Sequence, residues 1–157
     1  MQCSIAQTLE VVGEWWTLLV LREVFFGRSR FEEMQDDLGI ARNILTDRLN
    51  KLVDEEILAR HNVARTGARY EYRLTEKGVE LFPVLVALMQ WGDRWRPLPK
   101  GAPSELVHRT CNHKTTPTLV CSHCGEKLSA MNVRARPGRG FRGDRDHPLV
   151  RAGARSS

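Results

Sequence analysis

The stretch Phe31-Glu-Glu-Met-Gln-Asp-Asp-Leu-Gly-Ile-Ala-Arg-Asn-Ile-Leu-Thr-Asp-Arg-Leu-Asn-Lys-Leu52 decides the fold. It reads as two short helices joined by a tight turn at Gly39. Phe31, Met34 and Leu38 make one apolar stripe at helical spacing. Ser29 is the expected cap, with Glu32 three residues on completing a capping box. Gly39 suits the position just past a helix end, where a left-handed backbone is often needed. In the second helix Ala41, Leu45, Leu49 and Leu52 fall within a narrow arc and are expected to face the core. Asn43, Thr46, Asp47, Asn50 and Lys51 then project from the opposite side. Such a row of amide, hydroxyl and ammonium groups matches the donors, acceptors and methyl groups of a DNA major groove. Any solvated amphipathic helix shares part of this pattern, so the hairpin alone does not decide the function.

The residues after the hairpin narrow the choice. Residues 57–63 and 70–74 read as strands, the second with Tyr70, Tyr72 and Leu74 alternating on one face. Between them Ala64-Arg-Thr-Gly-Ala-Arg69 reads as a hairpin loop with two arginines at its tip. A helix-turn-helix joined to such a ribbon is a winged helix, so the expected class is mainly α with a small β-hairpin wing (α+β). Arg65 and Arg69 would meet phosphates or enter a minor groove. Asn43, Thr46 and Lys51 are the candidates for base edges. Ser29, Arg30, Arg42 and Arg48 are expected, with the wing arginines, to position the DNA backbone.

Several motifs, in order along residues 3 to 96, resemble the HxlR family of bacterial winged-helix regulators, which is similar to the MarR group. They are Cys3-Ser-Ile-Ala-Gln-Thr-Leu-Glu-Val-Val-Gly-Glu-Trp-Trp-Thr-Leu-Leu-Val-Leu-Arg-Glu23, Phe26-Gly27, Arg30-Phe31, Leu45-Thr-Asp-Arg-Leu49 and Tyr72-Arg-Leu-Thr-Glu-Lys-Gly78. Trp15 departs from the pattern, since the family more often carries a basic or small polar residue there. The resemblance implies a homodimer built on terminal helices and a regulator of transcription, most simply a repressor. A dimer would bind a palindromic operator with half-sites about one helical turn apart. The resemblance also implies a second reading, in which Cys3 senses oxidants or electrophiles. The plain alternative is that Cys3 is a packing residue.

The flanking elements agree with that architecture. Ser4 is expected to cap a helix over Ile5, Leu9 and Val12, and 16–24 reads as a strongly apolar core helix. Thr75 and Gly78 open a helix toward Trp95, with Pro83 forcing a kink or a restart. In it Leu81, Leu85, Leu88 and Trp95 form one stripe and Phe82, Val86 and Met89 another. That apolar face is wider than a small domain buries against itself, which points to a partner subunit.

The chain has 157 residues and a net charge of +5. From Arg134 onward seven arginines and two aspartates supply the whole excess, so charge is a poor argument for DNA elsewhere. The expected organisation is a DNA-binding and dimerisation domain at 1–97, a linker at 98–104, a zinc-ribbon-like segment at 105–133 and a basic, disordered tail at 134–157. That tail would add at most nonspecific, salt-sensitive attraction to DNA. No run is apolar enough to span a membrane and no secretory pattern opens the chain, so the cytoplasm is the expected location.

Within the third segment, His108 and Cys111, then Cys121 and Cys124, stand as two pairs with two residues inside each. This spacing would give one structural Cys3His zinc site, with His113 and His123 as rival ligands. The alternative is a small ribbon with reduced cysteines that folds without metal; a disulfide is less expected in a reducing compartment. An enzyme is not expected: no phosphate loop, nucleophile elbow or open metal position is visible, and four protein ligands leave no vacancy at a zinc ion. The remaining rival is a zinc-ribbon adaptor that uses the winged helix to bind protein. No spacing identifies a small-molecule effector.

Overall fold

The computed structural model describes residues 3–143, and these fall into two compact units that divide after Pro103. In the first unit α1 (Ser4–Val12), α2 (Trp15–Phe25), α3 (Phe31–Leu38) and α4 (Arg42–Asp54) precede a ribbon of β1 (Leu58–Asn62) and β2 (Tyr70–Leu74). A single turn, α5 (Glu76–Val79), leads into α6 (Phe82–Trp95). The ribbon is antiparallel, with Leu58 opposite Leu74 and Asn62 opposite Tyr70. A bridge between Arg30 and Glu71 adds a short third strand. The expected winged helix-turn-helix is therefore present.

The core is built where the helical arcs converge. Val20 and Leu21 of α2, Met34 of α3, Leu45, Leu49 and Leu52 of α4, and Ile57, Leu58 and Tyr72 around the ribbon are all buried. Gly39 ends α3 at φ 60°, a conformation that costs other residues a Cβ clash, and Ile40 then turns into the core. Pro83 occupies the first turn of α6, so the chain restarts there rather than kinking.

Three local expectations are corrected. Arg30, not Ser29, caps α3, and Glu33, not Glu32, reaches back to accept from the Arg30 N–H at 3.2 Å. The cause is the third strand: the Ser29 carbonyl accepts from the Tyr72 N–H at 2.7 Å, holding Ser29 and Arg30 extended so the helix begins later. Likewise Cys3 rather than Ser4 occupies the N-cap position of α1, without a side-chain hydrogen bond to the helix. Ala41 is the exposed cap residue of α4 and takes no part in the core.

Gly78 sits where the chain passes closest to the ribbon. A Cβ there would lie 2.2 Å from the Ile57 carbonyl oxygen and 3.0 Å from Leu74 Cδ2. That oxygen is fixed, since it accepts from the Thr75 N–H and from the Thr75 hydroxyl. Gly78→Ala is therefore expected to destabilise the first unit by about 1–3 kcal/mol, read as a lowered midpoint in urea at unchanged slope.

The second unit, from Ser104, has one short hairpin, β3 (Val107–His108) with β4 (His113–Lys114), and a bridge between Val120 and Lys127. No described residue of this unit is fully buried. The tail expected at 134–157 lies, from residue 144, outside the described residues.

Candidate nucleic-acid interface

Helix α4 presents Asn43, Thr46, Asp47 and Asn50 to solvent, opposite its buried leucines. The Thr46 hydroxyl donates to the Arg42 carbonyl at 2.8 Å, so it faces outward as an acceptor and a methyl group. Between α4 and the wing lies a groove of about 320 Å³, lined by Arg30, Arg42, Arg60 and Arg69 together with Phe31, Thr46, Asn50, Tyr70 and Glu32. Two of these arginines rest on aromatic faces: Arg42 lies 4.9 Å from the Phe31 ring centre and Arg60 lies 4.5 Å from that of Tyr70. Stacking orients a guanidinium while leaving its N–H groups free to meet oxygen acceptors.

The wing is held from within. Asn62 Oδ1 accepts from the backbone N–H groups of Ala64 (3.1 Å) and Arg69 (3.2 Å), and Nδ2 donates to the Gly67 carbonyl. Exposed Arg65 and Arg69 thus stand on a loop tied across its neck. Behind the groove Arg30 lies 3.5 Å from Glu71, which also accepts from Arg73 at 3.1 Å. Hydrogen bonding to Arg73 first, and then the charges of Arg73 and Arg30, hold the Glu71 carboxyl below its ordinary range. Ser29, half-buried, contributes through its backbone.

Two expected contact residues point elsewhere. The Lys51 ammonium reaches back to donate to the Glu10 carbonyl at 2.6 Å, tying α4 to α1. Arg48 lies half-buried, 3.6 Å from the Glu14 carboxylate that caps α2, with its Nε enclosed and unpartnered among the described residues. Both are placed as struts inside the protein. A further strut is the fully buried Glu23 of α2, which accepts from Arg22 Nε at 2.8 Å. Its other oxygen lies 3.1 Å from Arg28, off the hydrogen-bonding direction. Arg28 in turn donates to Asp37 of α3 at 2.8 Å, so the network links α2 to the first helix of the hairpin.

Arg60, Asn50 and Asn62 join the site beyond the expected contact set. For Arg60 the signal is an arginine interrupting an otherwise half-apolar strand opposite Tyr72.

Apolar side chains remain uncovered at both ends of this unit. On α6, Val84, Leu88, Trp91 and Trp95 succeed one another at helical spacing and all are exposed, Trp91 and Trp95 at 61% each. The inner stripe is Leu81 and Leu85 against the core, with Val86 buried beside them. Ile5 and Leu9 of α1 are also exposed.

In the second unit the four expected metal ligands are gathered as two pairs. His108 Nδ1 lies 3.3 Å from Cys111 Sγ. Cys121 receives the backbone N–H groups of Cys124 and His123 and the Cys124 thiol, which together hold its own thiol below the ordinary range. Among the described residues no three His, Cys, Asp or Glu side chains meet at one point as ligands would.

A family model described as HxlR-like helix-turn-helix matches residues 11–100. The HTH-type transcriptional regulator Rv3095 of Mycobacterium tuberculosis, itself uncharacterized, is 48% identical over 139 residues, 88% of each chain. At 139 of 157 residues, that similarity extends past residue 100, where the family match ends, and into the second unit. Among solved structures, PA1607, described as a transcription factor, superposes with a TM-score of 0.76 at 36% identity, covering 87% of this chain and 96% of its own. The reduced form of the redox regulator HypR superposes with a TM-score of 0.56 at 28% identity, covering 60% of this chain and 94% of its own. No helix among the described residues is long and apolar enough to cross a membrane.

Proposed function

The chain belongs to the HxlR-like helix-turn-helix family of transcriptional regulators, and from that premise we propose that it acts as a homodimeric repressor reading a palindromic operator with paired α4 helices. The observation that carries this reading is the union of an exposed amide and carboxylate row on α4 with a groove lined by four arginines. Asn43 and Asn50 offer the donor and acceptor pair that matches an adenine edge, and Asp47 accepts from a cytosine amino group. Arg42, Arg60, Arg65 and Arg69 hold phosphates on either side, which sets register without reading sequence. The exposed stripe of α6 and the apolar face of α1 give each subunit surface to bury against a second copy. A dimer sets two α4 helices about 34 Å apart on one side of the duplex. Bound across a promoter, it excludes polymerase.

Selection of genomic fragments by the full chain tests this. The wild type is expected to enrich a palindrome. Asn43→Ala should relax preference at one position of each half-site by about 1–3 kcal/mol, whereas Lys51→Ala should leave base preference unchanged because that ammonium is committed to Glu10. Enrichment without a shared motif would overturn the reading. An adaptor would keep its protein partner when Arg42 and Arg65 are both replaced by alanine; the regulator loses its DNA.

A second reading rests on Cys3, exposed at the N-cap of α1, the helix to which Lys51 ties α4. An adduct there would disturb the seat of α4. If this sensing operates, a thiol oxidant releases the operator from the wild type and not from Cys3→Ser. Release from both variants would assign the effect to other thiols.

A further inference from the structure

The second unit contains an internal repeat. Leu106-Val-His-Arg-Thr-Cys-Asn-His-Lys-Thr115 and Leu119-Val-Cys-Ser-His-Cys-Gly-Glu-Lys-Leu128 share leucine, valine, cysteine and lysine at matching positions. Their backbones match as well. Val107 pairs with Lys114, and Val120 with Lys127. The Thr115 N–H donates to the Leu106 carbonyl at 2.8 Å, and the Leu128 N–H to that of Leu119 at 2.9 Å. The Asn112 N–H closes on the His108 carbonyl at 2.7 Å, and the Gly125 N–H on that of Cys121 at 2.8 Å. Asn112 and Gly125 both adopt left-handed backbone, φ 55° and 75°, which these two residue types tolerate best. The chain thus makes the same knuckle twice, and in each the first and fourth turn residues carry a ligating side chain.

This correspondence decides among the histidines. His108 occupies the place of Cys121, and Cys111 that of Cys124. His113 corresponds to Glu126, and its Nδ1 lies 2.6 Å from the Cys111 carbonyl. His123 corresponds to Thr110, inside the turn. A further observation points to a bridging ligand: Leu119, Val120, Val107, Met131 and Val133 are all exposed, so this unit lacks an apolar core of its own among the described residues. Units this small usually need a metal, disulfides or a partner to hold a fold.

We propose that His108, Cys111, Cys121 and Cys124 bind one zinc ion, which draws the two knuckles together and serves as the core of this unit. Each knuckle presents its pair ready-made, and closure of the pairs onto one point is what the ion contributes. Three thiolates and one imidazole fill a tetrahedral shell, so the site is structural, with no position for a substrate. Binding displaces the thiol protons to solvent, which makes affinity fall as pH is lowered.

The test uses the full chain purified under reducing conditions without chelator. Metal analysis is expected to find zinc equimolar with protein, and exchange for Co(II) should give the strong visible bands of a tetrahedral site with thiolate charge transfer. Cys121→Ser and Cys124→Ser should each weaken Co(II) binding by at least about a hundredfold. His108→Cys should keep the tetrahedral spectrum and raise the charge-transfer intensity by about one third, as a fourth thiolate joins three. His113→Ala should bind as the wild type does. Removing the metal should abolish amide protection across 106–128 while leaving α2 and α4 protected. The proposal is overturned if the wild type holds no stoichiometric zinc and its Co(II) spectrum is octahedral. It is likewise overturned if a Cys121–Cys124 disulfide persists in reductant, or if His113→Ala loses the metal while His108→Ala keeps it.

Discussion

Replacing Arg42 and Arg60 by alanine in the same chain is expected to weaken operator binding by about two to three orders of magnitude at physiological salt. The two guanidinium groups stand on Phe31 and Tyr70 at opposite sides of the groove, so both are oriented before DNA arrives. In a dimer each substitution counts twice. About four phosphate contacts are then lost, and the slope of log affinity against log salt should become shallower by roughly four. The fold should tolerate the change, because both arginines are exposed and outside the core, and Phe31 packs against that core independently of Arg42. An unchanged slope, with the protein still folded by circular dichroism, would place the DNA elsewhere on the molecule.

The second large effect concerns assembly. Leu88→Glu together with Trp91→Glu is expected to raise the dimer dissociation constant about a thousandfold, since each anchor of a well-packed interface contributes about 2 kcal/mol or more. These residues sit one turn apart in the exposed stripe of α6, which adjoins the Leu81 and Leu85 stripe that packs on the core. Folding should be little affected, because neither side chain belongs to the core. Sedimentation at micromolar concentration should show monomer, and operator binding should fall to that of a half-site. A dimer that survives would move the interface to Ile5 and Leu9 of α1.

The hairpin could be read from the sequence because its signals are local. Leucines at helical spacing placed α4, and a single glycine at 39 placed the turn. Signals that depend on distant partners could not be read this way. Lys51 lies on the outward side by periodicity, yet its long stem reaches a carbonyl 41 residues earlier in the chain. Arg48 is diverted in the same manner by Glu14. Ser29 fails as a cap because a strand pairing with Tyr72 takes precedence over a favourable side chain. Arg60 becomes visible only when the ribbon closes over α4. In the second unit the Cys and His spacing was plain, but it left three histidines in competition for the proposed metal site. The repeat that separates them lies in the flanks, Leu-Val before each pair and Lys after it, which have no metal-binding meaning of their own.

Nuclease footprinting of the full chain, on a genomic fragment it selects and at physiological salt, bears most immediately on operator reading by paired α4 helices. The expected result is protection of two symmetric half-sites about one helical turn apart on one side of the duplex, occupied together as protein concentration rises. Protection that spreads without boundaries and vanishes with modest added salt would contradict that reading, because attraction by arginines alone, without base contacts from α4, behaves in that way.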